Sequence, residues 1–207
     1  MNRDSKNNSD SEAAGPGSEM RGKAGTPEPL FDSERPGSTA PAAVRVEEYA
    51  TQAISYIHAA LGVLLDYTGD TLPVVDHYLR NVPKDRAEAI ELVVATTGAY
   101  FGEVVRRSLG GQWNLEPASP TDWRLILPTG LSFVPAGLVA AAILQSDDLE
   151  LDSSLDASPA LWPHVEAALA RMSQVTAEEY FSLCGRFDTL EHLHAVLTAI
   201  LAQRMGS

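Results

Sequence analysis

Four side chains near the middle of the chain have the residue types and the spacing of a charged site. Glu103 is followed by Arg106 and Arg107, three and four residues later, and Trp113 comes directly after a glycine pair and a glutamine. On a helix, side chains three and four residues apart are neighbours, and an acid before a base is the favourable order. The pattern therefore predicts an ion-paired cluster at a helix end. Either it is structural and complements the helix dipole, which we favour, or it binds an anion or carboxylate.

One long amphipathic helix must carry this cluster. Apolar residues recur with a helical period over residues 90–109. The opposite face is also largely apolar, so we expect the helix to be covered on much of its circumference and Glu103 to be partly buried. A buried carboxylate is retained when it is paired or protonated. Gly98 and Gly102 leave a groove for a close-packed backbone, and the glycine pair at 110–111 ends the helix.

The elements around this helix predict an α+β fold that is mainly α-helical. The period changes after the glycine pair, which predicts a small antiparallel sheet of two or three strands in the middle of the chain. Predicted strands cover residues 112–116, 123–127 and 131–134. Other predicted helices cover residues 44–66, 71–81, 136–144, 159–172, 176–184 and 189–205.

Polar residues at the helix starts predict several N-caps. Asp85 is expected to cap the long helix, and Asp188 or Thr189 the last one. Thr176 and Glu179 have the spacing of a capping box. The acidic run at 147–156 lacks the glycine and glutamate that a calcium-binding EF-hand loop requires, so we expect a solvated loop there.

The sequence divides by composition into a tail and one domain. Residues 1–43 are rich in Gly, Pro and Ser and lack an aliphatic run, which predicts a disordered tail. Residues 44–207 are expected to form a single globular α+β domain. No segment has the apolar core of a signal peptide or the length of a transmembrane helix, so we expect a cytoplasmic protein.

The motifs of common catalytic sites are missing from the sequence. We find no phosphate-binding loop, dinucleotide fingerprint, nucleophile elbow or zinc signature, and we predict no catalytic residue, metal ligand or cofactor. Cys184 is the single cysteine and is expected to be a small core residue. The net charge of −13 argues against nucleic acid as a partner. It permits a protein partner, particularly a basic one.

The segment from Gly98 to Trp113 reads Gly-Ala-Tyr-Phe-Gly-Glu-Val-Val-Arg-Arg-Ser-Leu-Gly-Gly-Gln-Trp. With Leu65-Asp-Tyr-Thr68 before it and a short hairpin after it, the segment resembles a domain found in many uncharacterised bacterial proteins. The resemblance covers roughly residues 60–145. It implies no activity, cofactor or functional residue.

Two classes of function fit these features. The first is a non-catalytic acidic binding or adaptor protein, for example one of the immunity type, that covers a partner with its acidic surface. The second is an enzyme or small-ligand-binding protein with a site around Glu103, Arg106, Arg107 and Trp113. A cavity lined by Glu103 with a raised pKa would favour the second class, and a paired, enclosed Glu103 the first.

Overall fold

The computed structural model describes residues 42–172 and 175–205 of the 207-residue protein. The predicted disordered tail therefore lies, apart from its last two residues, outside the described residues. The described part contains seven α-helices: α1 (Ala42–Leu61), α2 (Leu72–Arg80), α3 (Ala87–Leu109), α4 (Pro135–Leu144), α5 (Trp162–Leu169), α6 (Ala177–Phe181) and α7 (Leu183–Met205). It also contains strands β1 (Gln112–Asn114), β2 (Arg124–Ile126), β3 (Ser132–Phe133) and β4 (Leu155–Asp156). The predicted α+β fold, mainly helical with a small antiparallel sheet in mid-chain, is confirmed.

Helix α3 lies at the centre of the core. It packs against α1 on one side and α4 on another, and every residue from Val93 to Val105 is buried. The sequence explains this, because the helix has apolar or small residues around most of its circumference over that span. The expectation that α3 is covered on more than one face is therefore confirmed. Solvent reaches α3 at its N-terminal turns, where Glu88 and Glu91 are exposed, and at its charged C-terminal turn.

The two glycines of α3 allow close packing in two different ways. A Cβ atom on Gly98 would lie 2.8 Å from the Cα of Ala136, so the backbone of α4 approaches α3 here, as predicted. Gly102 instead faces a side chain, because a Cβ atom there would collide with the six-membered ring of Trp113. The groove predicted along these glycines is thus filled by a helix backbone at one end and by an indole at the other.

The sheet is antiparallel with strand order β1-β2-β3-β4. Its register places Trp113 opposite Leu125, Leu125 opposite Phe133, and Phe133 opposite Leu155. The predicted strands around residues 112–116, 123–127 and 131–134 are present in shorter form. β4 was missed, because it lies in the acidic run that we expected to be a solvated loop.

The acidic run is held to the sheet by alternating contacts. Leu151 and Leu155 are half-buried against the core. Between them, the Asp152 carboxylate accepts a hydrogen bond from Arg124 Nη2 at 2.7 Å. Alternation of inward leucine and outward aspartate is the period of a strand on a half-buried surface. The charged residues obscured that period in the sequence.

Two predicted boundaries around the central helix are wrong. Helix α1 ends at Leu61 rather than at residue 66, because Gly62 turns into the left-handed region with φ = +71°. Helix α3 begins at Ala87, and its N-cap residue is Arg86, whose side chain makes no capping hydrogen bond. Asp85 is therefore not the N-cap that we predicted. The loop that follows α1 brings Tyr67 to α3.

The last helix begins earlier than predicted, since its cap comes from a distant part of the sequence. Helix α7 starts at Leu183, and the buried carboxylate of Asp76 on α2 accepts hydrogen bonds from the backbone N–H groups of Leu183 (2.7 Å) and Cys184 (3.1 Å). The prediction that Asp188 or Thr189 caps the last helix is therefore wrong. The capping box formed by Thr176 and Glu179 at the start of α6 is confirmed.

Replacing Gly98 with Ala tests the close approach of α3 and α4. Overpacking costs about 1–3 kcal/mol and the better helix propensity of Ala returns up to about 1 kcal/mol. We therefore expect a net loss of stability on the order of 1 kcal/mol in urea unfolding, while Glu91→Ala, an exposed change on the same helix, stays near wild type. A Gly98→Ala variant as stable as wild type would show that the two helices can move apart without cost.

Candidate functional site

The Glu103 carboxylate is the centre of the charged cluster, and each of its oxygens accepts two hydrogen bonds. Oε1 accepts from Arg106 Nε at 2.7 Å and from Trp113 Nε1 at 2.9 Å. Oε2 accepts from Arg106 Nη2 at 2.9 Å and from Arg107 Nε at the longer distance of 3.4 Å. An ionised carboxylate has about four acceptor positions. Those of Glu103 are therefore fully used.

Local structure explains why the four predicted residues meet. Glu103, Arg106 and Arg107 share one face of the last turns of α3, as their spacing predicted. The backbone then reverses at the glycine pair 110–111, where φ is +78° and +129°, and β1 starts at once. This reversal lays the indole of Trp113 over Gly102 and aims its N–H at Glu103. The site predicted from the sequence is thus a single cluster.

The environment keeps Glu103 ionised. Only 7% of the residue's surface is exposed, and burial alone would raise the pKa of the carboxyl. The hydrogen bonds from Arg106 and Trp113 and the charges of both arginines outweigh burial and lower that pKa below its ordinary value of 4.5. The hydrogen bond to Glu103 in turn raises the pKa of Arg106. The bidentate pair is charged on both sides at neutral pH.

Tyr67 is a fifth member of the site that the sequence did not reveal. Its ring lies 3.7 Å below the Arg107 guanidinium and stacks on the buried ring of Tyr100, with centroids 5.1 Å apart. The backbone N–H of Tyr67 also donates to Tyr100 Oη at 3.2 Å. Tyr67 and Arg107 are forty residues apart in the sequence, so no local pattern connects them.

The backbone of Tyr67 is strained. Its φ is +63°, in the left-handed region that bulky side chains rarely adopt. Such strain costs on the order of 1–3 kcal/mol and persists where surrounding contacts hold it. Here the stacked Tyr100 ring and the hydrogen bond to its hydroxyl hold the residue.

An open cavity of about 360 Å³ is formed over these residues. The Arg106 and Arg107 side chains remain 39% and 44% exposed. In the part of the protein that the structure describes, the terminal amino groups of Arg107 make no hydrogen bond. The cavity is lined by Glu47, Tyr67, Glu103, Arg106, Arg107, Gly111, Gln112 and Trp113.

A larger cavity, of about 560 Å³, lies between α5 and α7. Most of its lining is apolar, and its histidines are His164 and His192. His164 Nε2 is already 3.2 Å from Arg204 Nη2. An apolar lining gives burial without directed charge, so we regard the smaller cavity at Glu103 as the better candidate for specific recognition.

Other reactive side chains are placed in structural roles. The Cys184 thiol is a poor nucleophile, because burial and the neighbouring Asp76 raise its pKa to about 12. Among residues 42–172 and 175–205, no three His, Cys, Asp or Glu side chains are grouped as metal ligands. The helices of the same residues lack the combination of length and hydropathy that a membrane-spanning segment needs.

No protein-family model matches the sequence, and no similar protein is found among curated sequences or among solved structures. The resemblance to a bacterial domain family over residues 60–145 therefore stays a prediction.

Replacing Glu103 with Gln tests how strongly the cluster stabilises the fold. The amide places an N–H donor where Oε2 now accepts from the arginines, so we expect a loss of about 1–2 kcal/mol, limited by the exposure of both guanidinium groups. The measurement is urea unfolding at neutral pH, with Glu91→Gln as an exposed control on the same helix.

The loss should also depend on pH. A carboxyl whose pKa is lower in the folded than in the unfolded state stabilises the fold above its unfolded pKa. That contribution disappears as the pH falls through the folded pKa, so the difference between wild type and Glu103→Gln should shrink below pH 4.5. A difference that is absent at neutral pH would contradict a stabilising role for the ionised carboxylate.

Proposed function

We propose that this protein is a non-catalytic binding protein and that the cavity at Glu103 is the surface with which it recognises a protein partner. The observation that carries the proposal is the complete use of the Glu103 carboxylate by Arg106, Arg107 and Trp113. A carboxylate in that state orders its neighbours. It has no free oxygen with which to take a proton or attack a substrate.

The charge state of Glu103 supports the same conclusion. A general base or acid works best with a pKa near the operating pH, which for a carboxyl requires a raised pKa. The arginines beside Glu103 lower its pKa instead. The enzyme alternative would thus need proton-transfer groups from elsewhere, and the thiol of Cys184 is unsuited to that role. Binding is the function that this arrangement favours.

Three features favour recognition over a purely structural ion pair. The bidentate bond from Arg106 is sufficient to neutralise Glu103, so Arg107 is not needed for that purpose. Arg107 instead lies on the strained Tyr67 and has its terminal amino groups free of protein acceptors among the described residues. Arg107 also lines a cavity. Residues held in this way, at a cost in strain, are characteristic of a binding surface.

The overall charge limits the kind of partner. With a net charge of −13, long-range forces favour a partner that is basic or neutral around the contact over one that is acidic throughout. The same charge disfavours nucleic acid. We therefore expect a protein whose surface is basic as a whole and which presents acceptor groups at the cavity.

Affinity capture with matched variants tests this proposal. The full-length protein and its Arg107→Ala and Arg80→Ala variants would be used as baits in a lysate of the native host, with quantitative mass spectrometry as the readout. Arg80 is a suitable control, because it is 45% exposed and its ion pair within the described residues is with Glu178. We expect a stoichiometric partner whose recovery falls about tenfold with Arg107→Ala, equivalent to about 1.4 kcal/mol, and is unchanged with Arg80→Ala.

Thermal unfolding of each bait shows whether the variants are folded. Equal recovery of every partner by wild type and Arg107→Ala, with both proteins folded, would contradict recognition at this cavity. Loss of the partner with both arginine variants would indicate a general charge effect and would also contradict it.

A further inference from the structure

The arginine pair in the cavity at Glu103 presents free N–H donors, and the carboxylate that is ion-paired with it, Glu103, is fully used. Arginine has five N–H donors and no acceptor. Arg106 uses Nε and Nη2 on Glu103, and Arg107 uses Nε alone. The remaining N–H groups of both residues have no protein acceptor among the residues that the structure describes, and the oxygens of Glu103 are fully used. A ligand that binds these free N–H groups must therefore supply acceptor oxygens.

Two contacts restrain the Arg107 guanidinium and leave its terminal amino groups available as a fork. The guanidinium carbon of Arg107 lies 3.7 Å from the centre of the Tyr67 ring, and its Nε donates to Glu103 at 3.4 Å. Tyr67 is itself held between Arg107 and the buried Tyr100. A guanidinium fixed in this way loses little rotational freedom on binding. Its geometry matches the two oxygens of a planar carboxylate or of a phosphate.

The two glutamates of the lining oppose the attraction that the arginine pair exerts on an anion. The lining contains two arginines and two glutamates, Glu47 and Glu103, so its formal charge is zero before a ligand binds. Glu47 is exposed on α1 and has no ion-pair partner among the described residues. A phosphate monoester carries about −1.5 to −2 charges at neutral pH and would be repelled by Glu47 more strongly than a monoanion would.

We infer that the cavity binds a single carboxylate group of the partner, held by the terminal amino groups of Arg107 in the space that Tyr67 and Trp113 line. This inference depends on the proposed binding function, since it names the group that the partner presents. Arg107 supplies the fork and Tyr67 fixes its plane. Glu47 disfavours anions of higher charge.

NMR titration of the full-length protein tests the ligand class directly. The indole N–H of Trp113 lines the site and reports on it in a ¹H–¹⁵N spectrum. The probes are acetyl-Gly-Gly-Gly with a free C-terminus, the same peptide as an amide, acetyl-Gly-Asp-Gly amide and inorganic phosphate, all at one ionic strength. We expect a carboxylate probe to shift the Trp113 signal with a dissociation constant on the order of 1 mM, and the uncharged amide to leave it unmoved.

The two carboxylate probes distinguish the source of the group. A shift with the free-acid tripeptide alone assigns the ligand to the free C-terminus of a polypeptide. A shift with the aspartyl peptide assigns the ligand to an acidic side chain. Phosphate binding tighter than either carboxylate would overturn the inference. Equal shifts with the uncharged amide, or no shift with either carboxylate, would overturn it as well.

Variants test the roles of individual residues. Arg107→Lys retains the charge and loses the fork, and we expect it to weaken carboxylate binding at least about tenfold. Glu47→Gln should strengthen phosphate binding while carboxylate binding changes less, because it removes the nearby negative charge. Arg80→Gln should have no effect. Wild-type carboxylate binding by Arg107→Lys would contradict bidentate recognition.

Failure of this inference is distinguishable from failure of the proposed function. If partner capture requires Arg107 but no carboxylate probe binds, the binding role stands and the ligand class is wrong. If capture is independent of Arg107 and no probe binds, both are wrong.

Discussion

The neutralisation of one buried carboxylate organises the middle of this protein. Glu103 lies on a helix that the core covers on most sides, where an unpaired charge would be costly. Arg106 from the next turn and Trp113 from the first strand supply the required donors. The same contacts fix the C-terminal end of α3, the direction in which the backbone leaves it, and the start of the sheet. The cavity is a consequence of this arrangement.

A second consequence is a division of roles among similar side chains. Arg106 is bound at both Nε and Nη2 and completes the fold, whereas Arg107 makes one long contact to Glu103 and rests on Tyr67. The structure thus separates the arginine that satisfies the buried charge from the arginine whose terminal amino groups make no hydrogen bond within the described residues. Binding energy at this surface would come from a preorganised guanidinium, with little reordering when the ligand arrives.

Features that depend on local spacing could be predicted from the sequence. The ion-paired face of α3 follows from separations of three and four residues, and its end follows from two adjacent glycines with positive φ. Features that join distant segments could not. Tyr67 reaches Arg107 through a loop after α1, and Asp76 caps a helix more than one hundred residues away. β4 was hidden because its outward positions are acidic.

The ionisation of Glu103 is the central claim, since both its structural role and the non-catalytic interpretation of the site depend on it. The most direct measurement is the pH titration of the Glu103 ¹³Cδ shift in the folded protein. The arginines and the indole predict a pKa below the ordinary value of 4.5. A pKa raised above that value, toward neutrality, would mean that the carboxyl is free to exchange a proton and would contradict the account.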